Sequence, residues 1–199
     1  LVRMLHAQGL YVAVRIAVFQ DQHLVRVRPD LAVRDAAGGI WRDRKGLAWV
    51  DPASPEVWTY VAEIGRAAAH AGADELNFDY IRFPSDGNLK ELRYPVFDAS
   101  TQTRRQVIRR FFEYLIGQLR PTGVVLSADL FGLATVKEDD LGIGQVIEDA
   151  LLYFDYVSPM VYPSHYARGF LQYANPAAYP YAVVRYSLRR AAERRSQFA

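Results

Sequence analysis

The sequence predicts an α/β fold of the (β/α)8 TIM-barrel type, present as an incomplete fragment with about four parallel strands. Three observations predict it. Apolar runs of strand length each end in polar residues. Segments of helical periodicity lie between successive runs, the pattern of β/α units around a parallel sheet. The chain has 199 residues, whereas a complete eight-stranded barrel takes about 250. An open doubly wound sheet is the alternative. The chain opens without an initiator Met, inside an apparent helix over residues 1–8. We therefore expect residues 1–199 to form one partial barrel domain, with about two strands missing before Leu1 and about two after Ala199.

Each element has its own local reason. Residues 11–19 form an apolar run that passes into Gln20 and Asp21. Ser54 and Pro55 open a helix in the N-cap and first-turn manner, with Val57, Tyr60, Val61, Ile64 and Ala68 on one face and Gly72 as its stop. Residues 75–84 read as a core strand that exits through Asp79, Arg82 and Pro84. Ser100 or Thr101 is expected to cap the next helix. Its apolar face is Val107, Ile108, Phe111, Phe112, Leu115 and Leu119, and Pro121 with Gly123 ends it. Residues 124–131 form a strand carrying Asp129, residues 143–153 a short helix, and residues 156–162 a strand leading to His165. A last helix begins near residue 176 and runs into Arg189, Arg190, Arg194 and Arg195.

Charge at the end of a core strand points to a site, because an ionised carboxylate in an apolar interior must be paired, hydrogen-bonded or solvated in a cleft. Ligands of parallel α/β folds bind at the carboxyl ends of strands. Side chains alternate between the two faces of a strand, so Asn77 and Asp79 share one face and Ser127 and Asp129 share another. Arg15 stands on the parity of Ala13 and Ala17, and Ser158, Met160 and Tyr162 share a face. With the polar parity turned inward, Arg15, Asn77, Asp79, Ser127, Asp129 and Tyr162 converge on strands about 4.8 Å apart. The long loops at residues 20–53 and 84–99 follow strand ends, and loops of that length in a compact domain are often functional.

Composition narrows the classes. The chain is 51% hydrophobic and 23% charged with a formal net charge of +2, enough apolar material for a core and no electrostatic case for nucleic acid. The C-terminal arginines are expected to be a solvated helix face rather than a polyanion site. Zero cysteines exclude disulfides and thiolate metal sites. No run approaches the ~20 apolar residues of a membrane span. The four histidines, at 6, 23, 70 and 165, form no pair with metal-ligand spacing, which ranks a metal-dependent hydrolase or deacetylase below the other readings. No cofactor is expected.

Five motifs lie in order along the chain: Trp49-Val50-Asp51-Pro52, Asn77-Phe78-Asp79-Tyr80-Ile81-Arg82-Phe83-Pro84-Ser85-Asp86-Gly87, Ser127-Ala128-Asp129-Leu130-Phe131-Gly132, Glu138-Asp139-Asp140-Leu141-Gly142-Ile143-Gly144-Gln145 and Asp155-Tyr156-Val157-Ser158-Pro159-Met160-Val161-Tyr162-Pro163-Ser164-His165-Tyr166. With them the chain resembles the putative glycosyl hydrolase domain family of bacterial proteins, a β/α-barrel group. The resemblance implies barrel-type sugar chemistry and a carbohydrate ligand such as a poly- or oligosaccharide. An extracytoplasmic or cell-envelope location is expected beside it. Residues 74–80 also resemble the acidic strand motif of chitinase-like barrels. Ile81 stands where that motif has its catalytic glutamate, however, and Asn77 replaces a supporting aspartate, which puts substrate-assisted cleavage in doubt.

Glycoside hydrolysis needs two carboxyl groups, one to protonate the leaving oxygen and one to attack the anomeric carbon or activate water. Asp79 and Asp129 are the expected catalytic pair, Asp79 as nucleophile or base kept ionised by Arg15 and Arg82, and Asp129 as acid. The plain alternatives are an ion pair of Asp79 with Arg15 or Arg82, and a loop-capping role for Asp129. Glu138, Asp139 and Asp140 are alternative acids, or else a solvated turn. Asp51 and Asp155 are expected to be structural. Substrate contacts are expected from Arg15, Asn77, Arg82, Tyr162, His165 and Trp49, with Tyr162 and Trp49 the favoured stacking residues among Trp41, Trp49, Tyr80, Tyr94, Tyr162 and Tyr166. A non-catalytic polysaccharide-binding barrel associated with the cell envelope is the competing function.

Overall fold

A computed structural model describes residues 1–197. After a short helix α1 (Val2–His6), the strands β1 (Ala13–Ala17), β2 (Glu75–Asp79), β3 (Val125–Phe131) and β4 (Tyr156–Met160) form one parallel sheet in the order β1-β2-β3-β4. The register sets Arg15 beside Asn77 and Ala17 beside Asp79, then Asn77 beside Ser127. Sequential order lacks the reversal that defines a doubly wound sheet. The sheet is open, and its winding is compatible with an arc of a barrel.

The helices lie against one face of it. After α2 (Gln22–Val27), the helices α3 (Pro55–His70) and α4 (Arg104–Leu119) pack Val57, Val61, Phe111, Phe112 and Leu115 against Ile16, Leu76, Phe78, Leu126 and Leu130 in one buried cluster. Burial of each such large side chain contributes about 1.5–3 kcal/mol. The other parity of the strands is polar, carrying Arg15, Asn77, Asp79, Ser127 and Asp129. Sequence periodicity therefore separates a helix-covered apolar face from the face that bears the chemistry.

Several boundaries differ from expectation for local reasons. The cap of α4 is Thr103, not Ser100 or Thr101. Its hydroxyl accepts from Gln106 N at 3.1 Å while Gln106 Oε1 accepts from Thr103 N at 2.8 Å, a reciprocal capping box. Residues 98–102 are instead held in a turn, where Asp98 Oδ1 accepts from the amide and hydroxyl of Ser100. Helix α5 covers only Ile147–Leu151, because the Asp140 carbonyl accepts from the amides of Ile143, Gly144 and Gln145 and keeps that stretch in a turn. Helix α6 (Pro180–Ser196) starts after a single turn at Pro176–Ala178 that Asn175 caps.

The arginine run of α6 is not uniformly a solvated face. Arg189 and Arg190 pair with Glu193 on the surface, but Arg194 is buried. It forms a fork on Glu148 of α5 and donates to the carbonyls of Ala134 and Lys137. The position falls on the inward side of the helix, where the stem packs and the head finds a carboxylate and two carbonyls. This one side chain ties α6 to α5 and to the segment following β3.

Candidate active site

The last residue of β2, Asp79, is only 5% exposed and faces the polar side of the sheet. One of its oxygens takes a guanidinium hydrogen bond from Arg15 on β1, and the other accepts from the amide of Tyr80 at 2.6 Å. That second bond comes with a backbone turn out of the strand, since Tyr80 has φ 55°. A bulky residue in the left-handed region is strained, and such strain gathers at functional sites. Here it fixes Asp79 and turns the Tyr80 ring toward the cleft.

Two residues before the end of β3, Asp129 shares the same space. Its Oδ1 accepts from Asn77 Nδ2 at 3.0 Å, and its Oδ2 lies 4.0 Å from Arg15 Nε. One guanidinium thus stands between two carboxylates. Burial pushes the Asp129 carboxyl above the ordinary aspartate range; the Asn77 bond opposes this and the nearby Asp79 charge adds to it. Arg15 is raised, first by its bond to Asp79. The Asn77 amide also donates to Ser127 Oγ at 3.0 Å, and that hydroxyl donates to Glu75. A line of hydrogen bonds along the inner face therefore positions Asp129.

Both carboxylates open into a cleft of about 650 Å³, with Phe131, Met160, Tyr162 and His165 on one wall and Gln20, Asp43, Lys45, Ser85 and Asp86 on the other. Gly132 lines it as well. A Cβ there would stand 2.6 Å from the Met160 carbonyl oxygen and 2.8 Å from the Tyr166 hydroxyl, so the close approach of β3 to β4 requires glycine. Tyr162 is 52% exposed and its ring meets His165 edge-on at 5.1 Å, a surface suited to a sugar face.

Of the residues singled out in the sequence, Arg15, Asp79, Tyr80, Arg82, Asp129, Tyr162, His165 and Tyr166 line this cleft. Asn77 stands behind it, holding Asp129. Trp49 does not reach it: the ring is 1% exposed, its Nε1 donates to Asp43 at 3.1 Å, and its face supports Arg82. The expected stacking role therefore gives way to packing. Trp41 is likewise buried, donating to the Asn88 carbonyl, and Tyr94 packs on Phe83 and Phe97.

The alternative acids also lie elsewhere. Glu138, Asp139 and Asp140 do not line the cleft, and the carboxylates of Asp139 and Asp140 instead shape a turn by accepting from the amides of Leu141 and Gly142. Arg82 does not pair with Asp79, because Arg15 occupies that position. Asp51 and Asp155 are structural. Asp51 accepts from the amides of Ala53, Val96 and Phe97, yet its burial outweighs those bonds and raises its carboxyl; Asp155 binds Leu126 N and Arg120.

The long loops expected to be functional do line the cleft, through Asp43, Lys45, Ser85 and Asp86, residues that the sequence does not single out as site residues. Asp43 caps its own turn through the amides of Lys45 and Leu47 and holds Gln20 at 2.8 Å. The local string Asp43-Arg44-Lys45-Gly46 signals a turn, but nothing in its spacing says that it folds over the strand ends. Among the described residues, no group of three or more His, Asp or Glu side chains is arranged to hold a metal ion, and no helix is long and apolar enough to cross a membrane.

The family model described as "Putative glycosyl hydrolase domain" matches residues 1–199, and the chain belongs to that family. A hypothetical protein from Ruminiclostridium thermocellum ATCC 27405 is similar in structure, with 35% identity, a TM-score of 0.56, and coverage of 71% of this chain and 64% of that one. An α-galactosidase from Thermus thermophilus in complex with stachyose gives a TM-score of 0.51 at 20% identity over 78% of this chain and 29% of that one. A GH36 α-galactosidase from Geobacillus stearothermophilus in complex with raffinose gives 0.57 at 14% identity over 95% and 23%. At those identities the two galactosidases speak to the fold alone. The chain spans less than two thirds of each of these proteins. No curated protein matches it in sequence.

Proposed function

We propose that this member of the matched family is a glycosidase that cleaves a poly- or oligosaccharide with Asp79 and Asp129, in a β/α barrel of which this chain supplies four strands. The observation that carries the reading is the pair itself. Two carboxylates from adjacent strand ends face one cleft, and their surroundings differ. Asp79 is held by a guanidinium, while burial keeps the proton on Asp129 to a higher pH than usual. Pairs of acids in unequal environments are how one site supplies both a proton donor and a negatively charged partner.

In this mechanism Asp129 gives its proton to the leaving glycosidic oxygen as the bond to the anomeric carbon breaks. Asp79 either attacks that carbon, forming a glycosyl ester that water then hydrolyses, or takes a proton from an attacking water. Carboxyl groups about 5 Å apart give the first course and about 6.5–9.5 Å the second. Arg15 balances the charge at both groups, and Tyr162 and His165 hold the sugar.

A barrel that binds glycans without turning them over is the second reading. It is favoured by the fact that both Asp79 oxygens already have protein partners. Release of reducing ends from a panel of bacterial and plant polysaccharides, measured on the natural full-length protein beside Asp79→Asn and Asp129→Asn, separates the two. Turnover that both substitutions remove supports the glycosidase. Glycan retention without release from any substrate supports the binding module.

A further inference from the structure

Of the cations that line this cleft, Arg15 is paired, whereas Lys45 and Arg82 make no salt bridge among the described residues, and Arg82 is the buried one. It is 7% exposed, and its guanidinium is held among aromatic rings, with centroids at 4.4 Å for Phe131, 4.8 Å for Trp49 and 5.6 Å for Tyr80. Its one hydrogen bond among the described residues runs from Nη1 to the Phe83 carbonyl at 3.0 Å, and no carboxylate there lies within salt-bridge distance of it. The nearest acids are otherwise engaged. Asp79 is occupied by Arg15 and the Tyr80 amide, and Asp43 by Gln20, Trp49 and two backbone amides. Asp86, also on the cleft wall, accepts from the Arg44 amide.

A buried charge with no partner is costly, and proteins almost always pair it. Burial lowers the Arg82 guanidinium to about 10, which leaves it a cation at neutral pH. Its remaining donors belong to a planar fork whose plane the rings fix, and Arg82 lines the cleft. A fork of this kind matches the two oxygens of a carboxylate. A neutral sugar offers hydroxyl acceptors but brings no charge.

We propose that Arg82 is the anchor for a sugar carboxylate and that the glycan recognised in this cleft contains a uronic acid. The proposal rests on the reading of the cleft as a carbohydrate site and names the class of sugar. Asp43 and Asp86 also line the cleft and their charges reach Arg82, so the carboxylate must lie over the aromatic-backed fork and away from these two groups.

The test uses the natural full-length protein carrying Asp129→Asn, so that cleavage does not deplete the ligand. Calorimetric affinities are measured for galacturonate, glucuronate and mannuronate oligosaccharides and for the same chains with their carboxyl groups reduced to alcohols. At least one native series binds about tenfold or more tighter than its reduced form, the fold-change expected of a charge-assisted hydrogen bond. Adding Arg82→Gln removes the preference, and Arg82→Lys, which keeps charge without the fork, restores it only in part. Equal affinity for native and reduced chains overturns the proposal, as does binding of none of them or a preference that survives Arg82→Gln in a variant with an unchanged melt. Should Arg82→Gln fail to fold, the Arg82→Lys variant and the native-to-reduced comparison decide alone. Cleavage of a neutral glycan with no uronate preference would refute this inference and leave the glycosidase standing. Uronate binding through Arg82 without turnover of any glycan would do the reverse.

Discussion

At the scale of single residues, the Asp129 carboxyl lies above the ordinary aspartate range. Burial is the first cause, and the Asn77 amide and Arg15 guanidinium only partly offset it. The pH dependence follows in sign. A general acid works in its protonated form, so the alkaline limb of kcat/KM should lie above the ordinary aspartate value of about 3.9. Asp129→Asn should remove that limb and lower kcat by about 10² to 10⁴-fold on natural glycans. For stability, a raised carboxyl binds protons more tightly when folded, so its contribution is fully present below the unfolded value and is lost as pH rises through the folded one. Asp129→Asn should therefore melt at the same or a higher temperature than the natural protein at pH 7, while the advantage disappears at pH 3; a clear loss of melting temperature at pH 7 would contradict this. Asp79, Asp129 and Arg15 were legible in the sequence because strand parity fixes which side chains share a face. The sequence offers Arg15 and Arg82 alike as partners of Asp79, and only the fold chooses Arg15.

Among the elements, those that shape the cleft from behind carry the clearest predictions. Arg194 of α6 pins the segment after β3 through Glu148 and the carbonyls of Ala134 and Lys137. Removing one partner of a buried pair typically costs about 3–5 kcal/mol. Arg194→Met is expected to cost on that order in a denaturant melt; a change below about 1 kcal/mol, the range of surface pairs, would show the pair to be solvated. Gly132→Ala forces a methyl into the Met160 carbonyl and the Tyr166 hydroxyl, and should raise KM by disturbing the β3 and β4 wall as well as lowering stability. Thr103→Ala removes a capping box and should cost about 1 kcal/mol, seen as a lower melting point with unchanged kcat. The helices were readable because their apolar spacing survives inspection: each residue expected on the α4 face is buried. Their starts were less so, as several Ser, Thr and Pro residues near α4 and α6 compete for the same role and only tertiary contacts choose between them.

On the scale of the whole molecule, a one-sided sheet separates stability from chemistry. The helix-covered face holds the core, and the polar face, with its strand ends and long loops, holds the carboxylates, the aromatic wall and the buried guanidinium. Substitutions such as Phe111→Ala should cost about 3–5 kcal/mol without altering the pH profile of the protein that remains folded. The strands, their parallel order and their polar exits were legible from alternating strand and helix patterns. The two long loops were legible as functional from their place after strand ends, but not which of their residues reach the cleft, because Asp43 is set there by contacts with Gln20 and Trp49. The central claim is that Asp129 is the proton donor and Asp79 the group that acts at the anomeric centre. Its most direct test is hydrolysis of dinitrophenyl glycosides, whose leaving group needs no proton, by the natural full-length protein and the two variants. Asp129→Asn should hydrolyse these activated glycosides at close to the natural rate while failing on unactivated glycans, and Asp79→Asn should fail on both. Equal loss in both variants on the activated substrates, or full activity in Asp79→Asn, would contradict the account.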